Sequence, residues 1–298
     1  MSLGILCPGQ GDQSPDMFEL VSGEPEAQSI LALYRDMAGG PSQDLHMNRV
    51  AQPLLCAFQL AVWKGLQKEL PEPKAFAGYS LGELSAYGCA GVLAPEELIK
   101  LAQHRAAAMD EAYPSPGGLA AVRGLTQSQV QHLCAKHGVE IAIINDADRF
   151  IVGGAASALE EFEKEVAESG TKVTRLKVSI PSHTSAMQAA VPKFRMALSQ
   201  AAWAPFAAPV LSGTTAAPVF SKAEAIEALA LQIAHRIDWA ACVGALVELG
   251  CTVLLELGPG NGLSRMVRDR FPDLQARSVT EFRTLRGVAS WMKRSLSN

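Results

Sequence analysis

No stretch of this chain approaches the roughly 20 consecutive apolar residues that a membrane-spanning helix needs, so a membrane protein is not expected. Its six cysteines, Cys7, Cys56, Cys89, Cys134, Cys242 and Cys251, form no C-x-x-C and no paired spacing. Most stand among apolar residues, which suits buried thiols in a reducing compartment better than disulfides or a zinc site. The start, Met1-Ser2-Leu3-Gly4-Ile5-Leu6-Cys7-Pro8, lacks a basic segment, and its apolar run is too short for a signal peptide. A cytoplasmic protein is the expectation. There is no G-K-[ST] phosphate loop, no G-x-G-x-x-G, no internal repeat and no low-complexity tract. An excess of basic charge is missing too: the net charge of -4 gives no reason to expect nucleic acid or an anionic membrane as partner.

What is present fits a globular enzyme. Hydrophobic residues make up 48% of the 298 residues and charged ones 19%, enough to bury a large core in one domain or in a main domain with a smaller one. The chemistry-bearing stretch is Ala77-Gly78-Tyr79-Ser80-Leu81-Gly82-Glu83-Leu84, a G-x-S-x-G match. The apolar run Lys74-Ala75-Phe76-Ala77 precedes it, after the breaker-rich Leu70-Pro71-Glu72-Pro73, and reads as a buried strand. Leu84 to Ala90 reads as a helix of small residues. Strand, sharp turn and helix is the setting of a nucleophile elbow, with the Ser80 hydroxyl exposed and the Leu81 amide free to donate to an oxyanion. The bare pattern also occurs by chance; its flanks favour Ser80 as nucleophile.

Leu3 to Cys7 reads as a first buried strand running into Pro8-Gly9-Gln10-Gly11-Asp12-Gln13. That loop is either a plain strand-to-helix turn or a second oxyanion donor through the Gln10 amide. Phe18 to Met37 is expected to be a loop and a helix, broken at Gly39-Gly40-Pro41. A stronger helix follows Gln52-Pro53, with Pro53 in its first turn and Leu54, Leu55, Phe58, Val62 and Leu66 on one face. Ala94-Pro95-Glu96-Glu97 starts another that continues to about Tyr113. In it, Arg105 lies beside Ala106, Ala107 and Ala108. An arginine on such a small-residue face could clamp a carboxylate with two parallel N–H donors, but spacing alone favours an ordinary solvent-facing arginine.

Beyond the boundary Pro114-Ser115-Pro116-Gly117-Gly118 the pattern changes. Strands are expected at Leu119–Val122, Val139–Ile144, Phe150–Val152 and Lys172–Val178, with helices at Gln127–His137 and Ala156–Glu168. This β-α-β-β-α-β order matches a ferredoxin-like unit. It reads as an inserted subdomain, residues 118–181, whose edge forms a cleft with a core made of residues 1–117 and 182–298. His183 follows in Pro181-Ser182-His183, alone among the histidines at a strand-to-loop transition between the two parts, which makes it the candidate base for Ser80. Val210–Gly213 suggests a core strand, Ala223–His235 and Ala240–Leu249 helices, and Val253–Leu257 the final clear strand. The turn Gly258-Pro259-Gly260-Asn261-Gly262 could orient the histidine or be only a joint. The arginines after it, Arg265, Arg268 and Arg270, read as a solvated face that an acidic partner could also use.

Taken in order, Pro8-Gly9-Gln10-Gly11 with Gln13, Ala51-Gln52-Pro53, Gly78-Tyr79-Ser80-Leu81-Gly82-Glu83, Gln103-His104-Arg105, Pro181-Ser182-His183 and Glu256-Leu257-Gly258-Pro259-Gly260 resemble the malonyl-CoA:acyl carrier protein transacylase family. Asn145, at a strand end of the insert, matches a family asparagine. The resemblance implies an α/β fold: an α/β-hydrolase-like core with a parallel sheet plus an inserted ferredoxin-like α+β subdomain. It implies that Ser80 and His183 are catalytic, that the Gln10 and Leu81 amides form the oxyanion hole, and that Arg105 pairs with the free carboxylate of malonate. A carbonyl near Gly258 is expected to orient the imidazole. Malonyl-CoA is the implied substrate and an acyl carrier protein thiol the acceptor, with no metal or bound cofactor. One departure is Tyr79, where the family usually has histidine before the nucleophile.

Within the family, Leu-Cys-Pro-Gly-Gln-Gly-Asp-Gln, Asp16-Met17-Phe18 and Gly-Tyr-Ser-Leu-Gly-Glu are most similar to the epsilon subunit of bacterial malonate decarboxylase, which charges that complex's own carrier. The alternatives are malonyl transfer for fatty-acid or polyketide synthesis, a serine esterase or thioesterase, and a non-catalytic subunit that docks a carrier protein. A hydrolase requires an acid for His183, for which Asp146 and Asp148 stand in the right chain order.

Overall fold

The computed structural model describes residues 1–40, 44–168 and 170–297. Strand β1 (Leu3–Cys7) is buried at every position. A parallel strand covered on both faces has no polar side, so it reads in sequence as an unbroken apolar run. Helix α1 (Pro25–Ala38) ends on Gly39, which takes a left-handed φ of 76° that suits glycine as a helix terminator. Of the expected break after it, Pro41 lies outside the described residues. Helix α2 (Asn48–Leu66) begins before the expected position and carries Pro53 in its interior. Its buried face includes Leu54, Leu55, Phe58, Val62 and Leu66. Next come β2 (Ala75–Gly78), the elbow helix α3 (Leu81–Cys89) and α4 (Pro95–Ala112), whose first turn holds Pro95, Glu96 and Glu97.

The second part comprises β3 (Gly117–Arg123), α5 (Gln127–His137), β4 (Glu140–Asp146), β5 (Arg149–Ala155), α6 (Ala156–Glu168) and β6 (Lys172–Arg175). Thr126 and Gln129 form a reciprocal capping box that fixes the start of α5. Strand β6 is shorter than its sequence run: Leu176 still donates its amide to the Leu119 carbonyl of β3, and with Lys177 and Val178 it turns to line the cleft. The chain then returns through α7 (Ala190–Gln200), β7 (Val210–Leu211), β8 (Pro218–Val219), α8 (Lys222–Gln232), β9 (Ile237–Asp238) and α9 (Trp239–Glu248). It finishes with β10 (Val253–Glu256), α10 (Gly262–Arg270), β11 (Gln275–Ser278) and α11 (Leu285–Ser297). Val253 to Leu257 is therefore not the last strand: β11 extends the sheet beyond it.

Among the described residues there are two sheets. The larger has the order β11-β10-β1-β2-β7-β8 and is parallel except for β8, which pairs antiparallel with β7. The smaller has the order β6-β3-β5-β4-β9. Its first four strands are the antiparallel ferredoxin-like sheet, and β9 of the core joins them parallel to β4. Alternation along β3 explains how the two parts meet. Leu119 joins Ile143 and Ile151 on the face packed against Leu6, Ala77, Leu211 and Trp239. Ala120 and Val122 face the other way, onto Val130, Phe162 and Val166 under α5 and α6. All six cysteines are buried and unpaired, and no described helix is long and apolar enough to cross a membrane.

Candidate active site

The site lies at the carboxyl ends of β1 and β2, neighbours whose last residues, Cys7 and Gly78, are in register. The turn between β2 and α3 is tight enough to exclude side chains. A Cβ on Gly82 would stand 1.8 Å from the Cys7 carbonyl oxygen, and one on Gly78 2.0 Å from the Glu83 nitrogen. Between them Ser80 sits at φ 56° and ψ −115°, a left-handed conformation that a non-glycine residue adopts only when its surroundings over-determine it. Serine at this N-cap position ordinarily satisfies the helix's first amides with its hydroxyl. Ser80 does not: its Oγ lies 2.7 Å from His183 Nε2 instead.

His183 is 1% exposed and also has a left-handed φ, 64°. Its backbone N–H donates to the Ile233 carbonyl, and its Nδ1 lies 2.6 Å from the Gln232 carbonyl oxygen at the end of α8. A carbonyl can only accept, so Nδ1 carries the proton and Nε2 presents a lone pair to the Ser80 hydroxyl, as a general base requires. Burial, reinforced by the nearby Arg105 guanidinium, lowers the imidazole to about 3, so it is neutral at ordinary pH. The carbonyl that holds the ring is thus Gln232's and not one near Gly258. The Gly258 turn instead packs beneath the residues that follow β11, where Thr280 and Val279 lie closest. No described carboxylate contacts His183 either. Asp146 accepts from the Ala147 amide, and Asp148 faces Arg149.

Arg105 does not face solvent. It is 1% exposed, donating from Nη1 to Gln52 Oε1 at 3.0 Å and from Nη2 to Gln232 Oε1 at 3.2 Å. Burial lowers it to about 10, so it stays charged near neutrality. Its other donors, of the five a guanidinium offers, have no partner among the described residues. Gln232 is the residue that sequence reasoning missed. Its Nε2 donates to the Ser80 carbonyl at 3.0 Å and to Glu83 Oε2 at 2.6 Å, which turns its Oε1 toward Arg105 while its backbone carbonyl holds His183. One glutamine thereby joins nucleophile, base and guanidinium. A glutamine inside a helical pattern gives no motif by which to find it.

The loop carrying Gln10 is pinned from both sides. Gln59 donates to the Pro8 carbonyl, and Gln13 accepts from the Gly11 amide while donating to the Leu45 carbonyl. Gln10 and Ser80 face one cleft of about 330 Å³. Leu81 is the first residue of α3, where an amide has no acceptor within the helix. Tyr79 lies on the same cleft wall with its ring edge-on to Trp239. The opposite wall is Leu119, Ile143, Ile151 and residues 175–178 of the second part, where Lys177 brings positive charge and Arg175 is paired with Glu163. Of the α10 arginines, Arg268 donates to the Ala276 carbonyl and pairs with Glu281, and Arg270 donates to the Ala240 carbonyl.

Comparison with known proteins agrees with this geometry. Residues 26–236 match the family described as the acyl transferase domain. The malonyl CoA-acyl carrier protein transacylase of Haemophilus influenzae is 29% identical, covering 97% of this chain and 98% of its own. The crystal structure of the malonyl-CoA:acyl carrier protein transacylase from Xanthomonas oryzae pv. oryzae superposes with a TM-score of 0.91 at 31% identity, covering 99% of both chains. A malonyl-transacylase solved in complex with its type II PKS acyl-carrier protein superposes at 0.88 with 27% identity, over 93% of this chain and 96% of that one. Family match, end-to-end likeness and a serine bonded to a neutral histidine agree: this chain belongs to the acyl transferase domain family.

Proposed function

We propose that this chain moves a malonyl group from malonyl-CoA, through an ester on Ser80, to the thiol of an acyl carrier protein. The observation that carries the reading is the Ser80–His183 hydrogen bond with the buried, incompletely engaged guanidinium of Arg105 beside it. Ser80 Oγ attacks the thioester carbonyl as His183 Nε2 takes its proton, and the amides of Leu81 and Gln10 receive the negative oxygen. A base as weak as this imidazole passes the proton on to the departing coenzyme A sulfur. The carrier thiol then gives its proton to the same Nε2 and attacks the ester. Arg105 receives the free carboxylate of malonate through parallel N–H donors, which favours a diacid over acetyl.

In this reading residues 1–117 and 182–298 are the catalytic core, and residues 118–181 are the inserted subdomain that closes the far side of the cleft. Six reduced, buried thiols suit a cytoplasmic setting. The carrier is that of malonate decarboxylase, with a thiol on a dephospho-CoA-derived group. The similarity of the first loop and the Gly-Tyr-Ser-Leu-Gly-Glu elbow to that complex's epsilon subunit supports this choice. The test offers malonyl-enzyme two carriers separately, one from malonate decarboxylase and one from fatty-acid synthesis, using wild type and Arg105→Ala. Faster loading of the decarboxylase carrier, with malonyl transfer falling relative to acetyl in R105A, is expected. Preference for the biosynthetic carrier would move the protein to that pathway. Free malonate appearing without any carrier would make it a thioesterase, and carrier binding without transfer a docking subunit.

A further inference from the structure

Glu83 is a carboxyl group with no exposure, one residue after the Gly82 of the elbow and unused in the chemistry above. Its Oε2 accepts from Gln232 Nε2 at 2.6 Å and from the Gly213 amide at 2.9 Å, while its Oε1 has no partner among the described residues. Gln232 Oε1 in turn accepts from Arg105 Nη2. A buried anion and a buried cation thus share one carboxamide between them. An isolated buried charge is costly, so each is the other's compensation. We propose that Glu83 is the proton-linked counter-charge of the carboxylate subsite: ionised, it balances Arg105 in the empty enzyme, and it takes up a proton when an acyl carboxylate reaches the guanidinium.

The inference rests on the malonyl-transfer reading and adds a proton to it. With malonyl on Ser80, the pocket would hold two carboxylates against one guanidinium. Like charges in a site closed to water are not both retained when one can be protonated. Glu83 is placed to yield, because burial raises its carboxyl to about 7 despite the Gly213 and Gln232 hydrogen bonds and the Arg105 charge that lower it. The other groups facing it do not titrate in that range. Tyr87, on α3 itself, and Cys242, on α9, are both pushed up by burial. Behind Arg105 stand Cys56 of α2, raised to about 12, and His183, neutral down to about 3. By linkage, carboxylate binding and Glu83 protonation must favour each other equally.

The acyl exchange adds no proton of its own near pH 7. The C–S bond of malonyl-CoA breaks, the C–O bond to Ser80 forms, and the serine proton moves through His183 to the coenzyme A thiol. Proton uptake can therefore be read with an indicator dye in weak buffer at pH 7, with adduct measured by intact mass in the same sample. Wild type with malonyl-CoA is expected to take up about half a proton per adduct. Acetyl-CoA, and Glu83→Gln with malonyl-CoA, should take up none. Above pH 7 the wild-type malonyl-enzyme equilibrium should fall by up to about tenfold per unit, while E83Q stays flat. Full malonyl adduct without proton uptake overturns the inference and leaves the transferase reading standing, as does equal uptake in E83Q. Failure to form any malonyl adduct removes both. Should E83Q not fold, the malonyl-against-acetyl comparison on wild type decides alone.

Discussion

Replacing Gln232 by alanine separates the two jobs this residue does. The backbone carbonyl that holds His183 remains, while the carboxamide that links Ser80, Glu83 and Arg105 is lost. Hydrogen bonds to charged groups contribute about 1.5–3 kcal/mol each and a neutral one about 0.5–1.5 kcal/mol. Two charged bonds and one neutral bond would then total roughly 3.5–7.5 kcal/mol if they were independent. They share one network, so a loss of about 3–5 kcal/mol is the working figure. For a chain of this length, with an unfolding entropy of about 2.1 cal/mol/K per residue, that corresponds to a fall in melting temperature of roughly 5–8 °C. In acylation assays, acetyl transfer to Ser80 should survive, because His183 keeps the backbone carbonyl that orients it and its hydrogen bond to the Ser80 hydroxyl. Malonyl transfer should fall at least about tenfold further than acetyl, the kinetic equivalent of 1.4 kcal/mol lost from the Arg105 subsite. A melting temperature within about 2 °C of wild type together with unchanged malonyl preference would refute the assignment of Gln232 as the joining residue.

Two other changes probe the elbow turn and a second buried carboxyl. Gly82→Ala sets a Cβ 1.8 Å from the Cys7 carbonyl oxygen, so the cost should exceed the about 1–3 kcal/mol of ordinary overpacking and yield little folded protein. Gly23→Ala, where a Cβ meets nothing within 4 Å, is the control and should express like wild type. Glu256 accepts from the Leu263 and Ser264 amides at the start of α10, and burial raises its carboxyl from 4.5 to about 7. A raised folded-state value means the folded protein holds the proton more tightly. The stability it contributes is full below about pH 4.5 and lost as pH rises to about 7. Chemical denaturation of Glu256→Gln should therefore gain on wild type across that window and run parallel to it above. Identical pH dependence in both proteins would show that Glu256 is not the titrating group.

Much of the fold was legible because its signals are local. Leu3–Cys7 announced itself as a buried strand, and Pro95-Glu96-Glu97 marked a helix start by its own chemistry. The two residues of β9 could not be seen, since Ile237 and Asp238 are a strand only because β4 lies beside them. Strand β11 has the same character: Gln275-Ala276-Arg277-Ser278 carries no apolar run and is ordered by pairing with β10. In the site, Ser80 and His183 stood out by position, yet the carbonyl that orients the ring did not. The Gly258 turn is conspicuous in sequence, and the Gln232 carbonyl is an anonymous helix end brought alongside by the fold. Arg105 misled in the opposite direction. Its spacing favoured the solvent-facing position usual for a helix arginine, and only the family resemblance pointed to a ligand; α2 and α8 in fact cover the guanidinium with Gln52 and Gln232.

The most direct test of the central claim is the mass of the intact protein after brief incubation with malonyl-CoA, for wild type and Ser80→Ala side by side. Wild type is expected to carry one malonyl group, located on Ser80 by peptide mapping and removable by a carrier thiol, and S80A none. A malonyl adduct that persists on S80A, or wild type that binds malonyl-CoA without ever becoming acylated, would contradict it.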